Sequence, residues 1–473
     1  MSSTDVARRS PPTLTLAVLS LGAVSYSLLQ SLVAPALPDI QEATGASASA
    51  VSWILTSYLL AASVATPILG RLGDIHGKER VLFWVLVALG VGTLMSAVAT
   101  SLPLLIAGRI VQGAAGGIFP LAFSIIRDEF PRERVAGAIG MMSSLLGIGG
   151  GLGVVLAGVI VDNLSYHWLF WIPLVAIVAS AALTWRYVPE SPVRAPGSIN
   201  WTGALLLSLG LSVLLLGVSQ ASDWGWGSPK TLAMLVVALL VLGAWIRNET
   251  GATDPLVDMR MMRIRGVWTT NAAALLVGVG LYTSFILIPQ FVQEPTSTGY
   301  GFGSSVTAAG LFLLPSTVAM LLVGQFTGKI ERRFGARASL LAGCAVTAAA
   351  YALLAFAHTE HWQVYLASAL LGVGLGLSFA ALANLIVVAV RQDQTGIATG
   401  MNTVMRTIGG AVGAQLAGTI LAGTLVAATG LPSEGAYTAG FLMCAGALVV
   451  AIAISVAIPG RGRITAATAV PAD

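Results

Sequence analysis

The sequence predicts an all-α polytopic membrane protein of 14 transmembrane helices in a 6 + 2 + 6 order. Three observations predict it: a charge-poor composition, a series of apolar stretches of spanning length, and an internal repeat. Of 473 residues, 56% are hydrophobic and 9% charged, where soluble domains carry about 25% charged. The mean hydropathy is +0.86, which excludes a large soluble enzyme domain. The 54 glycines allow many helices to pack closely. Cys344 and Cys444 both fall in apolar runs, so neither a disulfide framework nor a cysteine metal site is on offer. The net charge of +4 does not point to nucleic acid, because the basic residues lie in short loops.

The apolar stretches run approximately 14–37, 51–69, 81–99, 102–126, 136–160, 167–187, 201–219, 230–246, 267–292, 305–327, 338–357, 362–389, 396–426 and 436–458. Each is suited to cross about 30 Å of hydrocarbon as helix. The first follows Arg8 and Arg9 and contains Ala34-Pro35-Ala36. Its apolar run exceeds the roughly 7–15 residues of a signal-peptide core, so an uncleaved first helix is expected.

With a cytoplasmic N-terminus, 14 crossings place 21 of the 24 Lys and Arg on the cytoplasmic side and only Lys230 outside, while Arg109 and Arg406 fall inside spans. That segregation obeys the positive-inside rule and predicts both termini cytoplasmic. Trp53, Trp168, Trp171, Trp224, Trp226 and Trp362 then sit near the outer interface and Trp84, Trp185, Trp201, Trp245 and Trp268 near the inner one, as interfacial belts do.

Self-comparison supplies the repeat. Residues 148–160 match 408–420 at eight of 13 positions with an offset of 260, and the loop 70–77 matches 328–335 at an offset of 258. Parallel duplication of this kind is a transporter habit. The expected organisation is a cytoplasmic tail over 1–13, a six-helix bundle over 14–188, two inserted helices with a cytoplasmic linker over 189–265, a second bundle over 266–459 and a cytoplasmic tail over 460–473. The insertion is entered through the breaker-rich stretch from Pro189 to Gly197.

The loop after the second span reads Gly70-Arg71-Leu72-Gly73-Asp74-Ile75-His76-Gly77-Lys78-Glu79-Arg80. With the 6 + 2 + 6 order, it resembles the major facilitator superfamily, specifically its fourteen-helix drug:proton antiporter branch, over nearly the whole chain. The resemblance implies a gating latch of Gly70, Asp74, Gly77, Lys78 and Asp128. Asp74 would face the N-terminus of span 13, where helix-end N–H groups attract an anion, and Lys78 would pair with Asp128.

Span 4 carries Arg109 and, three residues on, Gln112, similar to the superfamily's second motif. A guanidinium in hydrocarbon costs at least ~3 kcal/mol and faces protein or water, which makes Arg109 a site candidate on physics alone; Arg406 in span 13 follows the same argument. The antiporter motif expected in span 5 is only partly present: Gly149 and Gly153 match, Val154 replaces the usual Pro, and Ala157-Gly158 replaces a Gly pair. Gly149, Gly153 and Gly158, with Gly409, Gly413 and Gly418 in the repeat, are the expected helix-packing glycines. At the outer end of span 1 the branch's Asp is replaced by Leu29, with Gln30 the nearest polar group. No carboxylate falls in the middle of a span, so the proton-coupling candidates are Asp39 and Glu294 at outer helix ends, and Arg109.

The scheme of the resembled family lines its cavity with spans 1, 4, 9 and 12. That places Tyr26, Gln30, Arg109, Gln112, Asn271, Tyr282, Gln290 and Asn384, together with Arg406, in or near an otherwise apolar cavity suited to amphiphilic cargo. The function expected is export of amphiphilic organic compounds, drugs, antibiotics or dyes, by alternating access in exchange for protons. The alternative is an exporter of one endogenous metabolite, lipid or antibiotic with other or no ion coupling.

Other classes lack their chemistry. A phosphate-binding loop fails because Val323 stands five residues before Gly328 and Ile330 follows Lys329. His76 and His167 stand alone, and His358 with His361 has no metal-ligand partner spacing. Neither an enzyme nor a cofactor or metal is expected. The partners expected are a small-molecule substrate, protons and membrane lipid, with the monomer sufficient for function.

Overall fold

A computed structural model describes residues 11–426 and 430–459. Arg8, Arg9, Arg461, Arg463 and the tail segments 1–10 and 460–473 lie outside the described residues. The first half holds α1 (Pro12–Ser31), α2 (Leu37–Thr44), α3 (Ala48–His76), α4 (Lys78–Ala97), α5 (Leu102–Gln112), α6 (Ile118–Glu129), α7 (Arg132–Ser144), α8 (Leu146–Ile148), α9 (Val154–Asn163) and α10 (Trp168–Tyr187). Next come α11 (Trp201–Ser219), α12 (Ala221–Trp224), α13 (Pro229–Gly251) and α14 (Met259–Arg263). The second half holds α15 (Arg265–Gln293), α16 (Val306–Phe334), α17 (Ala336–Phe356), α18 (His361–Ala389), α19 (Thr395–Gly423) and α20 (Glu434–Val456).

Helix starts carry local signals. The hydroxyls of Ser47, Ser228, Ser305 and Ser433 accept from the backbone N–H three residues on, satisfying donors the first turn leaves free. Helices α3 and α4 meet at Gly77 with φ 108°, and α16 and α17 meet at Gly335 with φ 87°. Only glycine takes that backbone cheaply, so both halves reverse direction without a connecting loop.

Twelve helical segments among the described residues are long and apolar enough to cross a membrane, counting α5 to α6 as one. The other two of the 14 apolar stretches are also helical but depart in opposite ways. The stretch over 136–160 is broken into α7, α8, a π-helical turn at Gly149–Gly153 and α9. The stretch from 396 is one helix of 29 residues, diluted by glycines, threonines and Arg406. These are the two segments that match each other in the repeat. The first stretch is also shorter than expected, since α1 ends at Ser31 and a separate α2 starts at Leu37.

Two cores form, one from residues between Val18 and Val188 together with Ala383 and Val387 of α18, and one from residues between Ala273 and Ile458. Helices α11 and α13 pack on each other, and α11 also packs against α3 and α19, so this pair touches both halves. A third cluster records this, joining Leu207, Leu211 and Trp245 to Ile397, Met401 and Val404.

Candidate functional site: the interface between the halves

The halves are tied together most densely at the end that carries the basic loops. Asp74 is fully buried at the end of α3. Its Oδ1 accepts from Gly396 N and its Oδ2 from Ile397 N, each at 3.0 Å. These are the free donors of the first turn of α19, so a carboxylate there gains from both the hydrogen bonds and the helix dipole. The approach requires Gly70, where a Cβ would stand 2.4 Å from Gly396 O. Lys78 Nζ pairs with Asp128 Oδ2 at the end of α6, both side chains at 0% exposure. At Gly77 a Cβ would meet Glu190 Oε1 at 2.5 Å as well as an unfavourable φ.

A second cluster lies in the interior. Arg109 on α5 is fully buried. Its Nε donates to Ile54 O at 3.2 Å, its Nη1 to Leu29 O at 3.2 Å and to Gln112 Oε1 at 2.7 Å, and its guanidinium lies 4.1 Å from the Tyr58 ring centre. Gln112 Nε2 donates in turn to Thr93 Oγ1 and Ser96 Oγ at 3.2 and 3.4 Å. Arg109 is therefore solvated by its own half, with Nη2 left without a partner. Tyr26 packs edge-on against Phe119 and beside Tyr58. From α1, Gln30 Nε2 reaches across the interface to donate to Tyr282 Oη at 3.3 Å. Arg406 on α19 is 8% exposed and sits 4.8 Å from the Phe379 ring centre. One turn further along α19, a Cβ at Gly410 would collide with the Tyr282 ring, which places Arg406 near the Gln30–Tyr282 contact.

At the end opposite the basic loops, Glu294 caps α15 and accepts from Tyr437 Oη at 2.8 Å. It opens with Gln290, Gln293 and Pro432 into a cavity of about 570 Å³. Burial and then Glu294 push the neighbouring Tyr300 hydroxyl up to about 12. Asp39 is exposed in the first turn of the short α2.

The sequence profile of the Major Facilitator Superfamily matches residues 19–414. The chain belongs to that superfamily. Among similar proteins is Multidrug resistance protein 3 of Bacillus subtilis, 27% identical over 85% of this chain and 78% of that one. The Tetracenomycin C resistance and export protein of Streptomyces glaucescens is 28% identical over 87% and 76%. The Multidrug resistance protein Stp of Mycobacterium tuberculosis is 28% identical over 86% and 75%. A solved structure, the human organic anion transporter MFSD10, shares the fold with a TM-score of 0.68 at 16% identity, over 94% of this chain and all of that one.

Not every residue read as cavity-lining in this major facilitator lies at the interior locus. Asn384 is at the basic end, where its Nδ2 donates to Glu331 Oε2 at 2.9 Å and to Ala136 O at 3.2 Å. Asn271 accepts at Oδ1 from Asn402 Nδ2 at 2.9 Å, joining α15 to α19. Gln290 is exposed at the far end. Of the packing glycines, a Cβ would meet Ser27 O at 2.1 Å from Gly149, Ser31 Cβ at 2.7 Å from Gly153, and Thr307 Oγ1 at 2.7 Å from Gly158. Gly409 would collide with Leu275 O at 1.8 Å and Gly413 with Thr283 Oγ1 at 2.8 Å. Gly418, expected to pack a helix, does not: nothing lies within 4 Å of its Cβ position.

Two contributors escaped the sequence reading. Arg127 at the end of α6 donates to Val390 O at 2.7 Å, Arg391 O at 3.0 Å and Thr395 Oγ1 at 2.7 Å, gripping the α18–α19 corner. The Pro-rich linker is not a passive spacer, since Ser191 Oγ donates to Asp128 Oδ2 and Ala195 N to Asp74 O. Arg127 looked like any basic loop residue, and only breakers were visible in the linker.

Proposed function

We propose that this chain exports amphiphilic organic compounds, such as drugs, antibiotics or dyes, from the cytoplasm by alternating access in exchange for protons. The reading takes 14 crossings of the plasma membrane, including α7 to α9 and α19, with both termini and the basic end cytoplasmic. Similarity to proteins named for multidrug resistance and antibiotic export supports the cargo class. The observation that carries the reading is the interior locus: two buried guanidiniums, three tyrosines and Gln30 drawn from both halves, in largely apolar surroundings and, among the described residues, with no carboxylate hydrogen-bonded to either arginine.

In this scheme Arg406 orients cargo, because a buried guanidinium with no hydrogen-bonded acceptor among the described residues is available to a ligand. Asp74, Lys78 and Asp128, with Gly70 and Gly77, hold the basic end closed. Glu294 is the group we favour as proton carrier, since it combines a tyrosine donor with an open cavity, whereas Asp39 is exposed and Arg109 is held by carbonyls and Gln112.

Purified protein reconstituted into vesicles tests the reading. An imposed pH gradient is expected to drive uptake of several lipophilic dyes into inside-out vesicles, and a protonophore to collapse it. Glu294→Gln should keep downhill exchange and lose gradient-driven accumulation. Transport of amphiphiles that ignores the gradient would remove the coupling, and failure to move any amphiphile would remove the cargo class.

A further inference from the structure

A second cavity, of about 600 Å³, lies at the basic end between the halves. Arg132, which opens α7, reaches it from the first half, and Arg332 and Arg337, on either side of the Gly335 reversal, reach it from the second. Arg132 and Arg332 are exposed and Arg337 is half-buried. None of the five ion pairs recorded among the described residues involves any of the three. Two of them hold backbone carbonyls: Arg332 Nη1 donates to Glu133 O at 3.0 Å and Arg337 Nη2 to Val456 O at 2.6 Å. Arg337 Nε is buried without an acceptor.

The rest of the wall is not what a soluble anion needs. Val135, Leu341, Leu385 and Val388 line it, and Phe334 stands at its edge 63% exposed. The acid in the wall, Glu331, is 4% exposed and accepts from Asn384, so the three guanidiniums are the charges presented outward. Cationic rim and apolar wall together select an anionic head on an apolar tail. Guanidinium forks bind phosphate in two-point fashion, and basic pockets between spanning helices at the cytoplasmic end suit anionic lipid headgroups.

We propose that this cavity binds the phosphate headgroup of an anionic phospholipid from the adjoining leaflet, with an acyl chain against Val388 and Phe334. Because its rim combines Arg132 of one half with Arg332 and Arg337 of the other, the site is complete only while the basic end is closed. The bound lipid braces that state, as any ligand does that favours one of two conformations.

Thermal melting of the purified full chain in detergent tests this, with phosphatidylglycerol, with phosphatidylcholine of the same chains, or with inorganic phosphate. Phosphatidylglycerol is expected to raise Tm by several degrees more than phosphatidylcholine, and inorganic phosphate to do nothing. The difference should vanish in Arg132→Ala/Arg332→Ala/Arg337→Ala and survive in Arg247→Ala/Arg260→Ala/Arg263→Ala, which removes equal charge from exposed arginines elsewhere on the basic end. Equal losses in both triple variants would mean bulk charge attraction and overturn the site. A shift with inorganic phosphate would assign a soluble anion and overturn the lipid. Should the first triple variant not fold, native mass spectrometry of the wild type decides: retention of phosphatidylglycerol over phosphatidylcholine, lost at high salt, supports the site, and equal retention rejects it.

Discussion

The corresponding loops of the two halves solve one problem with opposite charges. After α3, Asp74 is buried and receives two backbone N–H groups at the start of α19. After α16, the position offset by 258 holds Arg332, exposed and donating to Glu133 O in the first turn of α7. The first contact gains from the positive end of a helix. The second places a cation at a helix start and gains nothing from the dipole. The two loops thus share a glycine reversal while their contacts across the interface diverge, two hydrogen bonds to a buried carboxylate against one from an exposed guanidinium.

The sharpest test of that asymmetry is the buried pair beside Asp74. Lys78→Met removes the ion-pair partner of buried Asp128 and leaves the Ser191 hydroxyl hydrogen-bonded to it, and stranding one charge of a buried pair costs about 3–5 kcal/mol. Arg332→Ala, by contrast, removes one exposed hydrogen bond and should cost under ~1 kcal/mol. Melting curves of the two variants are expected to differ by many degrees, with Lys78→Met/Asp128→Leu recovering most of the loss because the pair is then replaced rather than broken. Equal shifts for Lys78→Met and Arg332→Ala would make the two clasps equivalent.

A second contrast lies in the interior, again with one residue per half. Arg109 spends its donors on two backbone carbonyls and Gln112, whereas no acceptor among the described residues is hydrogen-bonded to Arg406, which faces the Phe379 ring. Arg109→Ala is expected to cost about 3 kcal/mol, since hydrogen bonds to a charged group are worth about 1.5–3 kcal/mol each and are not additive. Arg406→Ala should hold its melting temperature within the equivalent of ~1 kcal/mol and lose cargo turnover several-fold per folded molecule. The reverse pattern, normal turnover in Arg406→Ala and a stable but inactive Arg109→Ala, would exchange their roles.

Hydrophobic length exposed most of the architecture because a spanning helix announces itself in about 20 consecutive residues. All 14 apolar stretches are helical, and two fall outside the length-and-apolarity range: glycines interrupt α7 to α9, and glycines with Asn402, Arg406 and Gln415 lower the apolarity of α19. The contacts of Lys78 with Asp128 and of Asp74 with the start of α19 were readable by resemblance, since the loop motif is local. Contacts without a local pattern were not. Nothing in the sequence near Arg127 names carbonyls 264 residues away, and Asn384 looks like any polar residue in an apolar helix, although its amide bonds Glu331 at the basic end. A side chain's depth along a span decides between helix glue and cavity lining, and the sequence fixes depth only to within a few residues.

The smallest effect expected comes from the repeat itself, where Gly158 and Gly418 occupy matching positions. At Gly158 a Cβ would press 2.7 Å from Thr307 Oγ1 across the interface with α16, and Thr307 also donates to Asp162 Oδ2 at 3.4 Å. Threonine in a helix has few rotamers to retreat into, so Gly158→Ala incurs overpacking of about 1–3 kcal/mol, partly offset by the ~1 kcal/mol that alanine gains over glycine in a helix. At Gly418 the same substitution meets no neighbour, and only the propensity gain remains, a stabilisation of up to ~1 kcal/mol. The two variants should therefore shift the melting curve in opposite directions. Because Thr307 belongs to the other half, Gly158→Ala should also slow turnover by wedging the halves apart at the end away from the basic loops, while Gly418→Ala transports normally. Destabilisation by Gly418→Ala of the same size as by Gly158→Ala would show that α19 packs at Gly418 as tightly as α9 does at Gly158, and that the halves diverge less than their contacts imply.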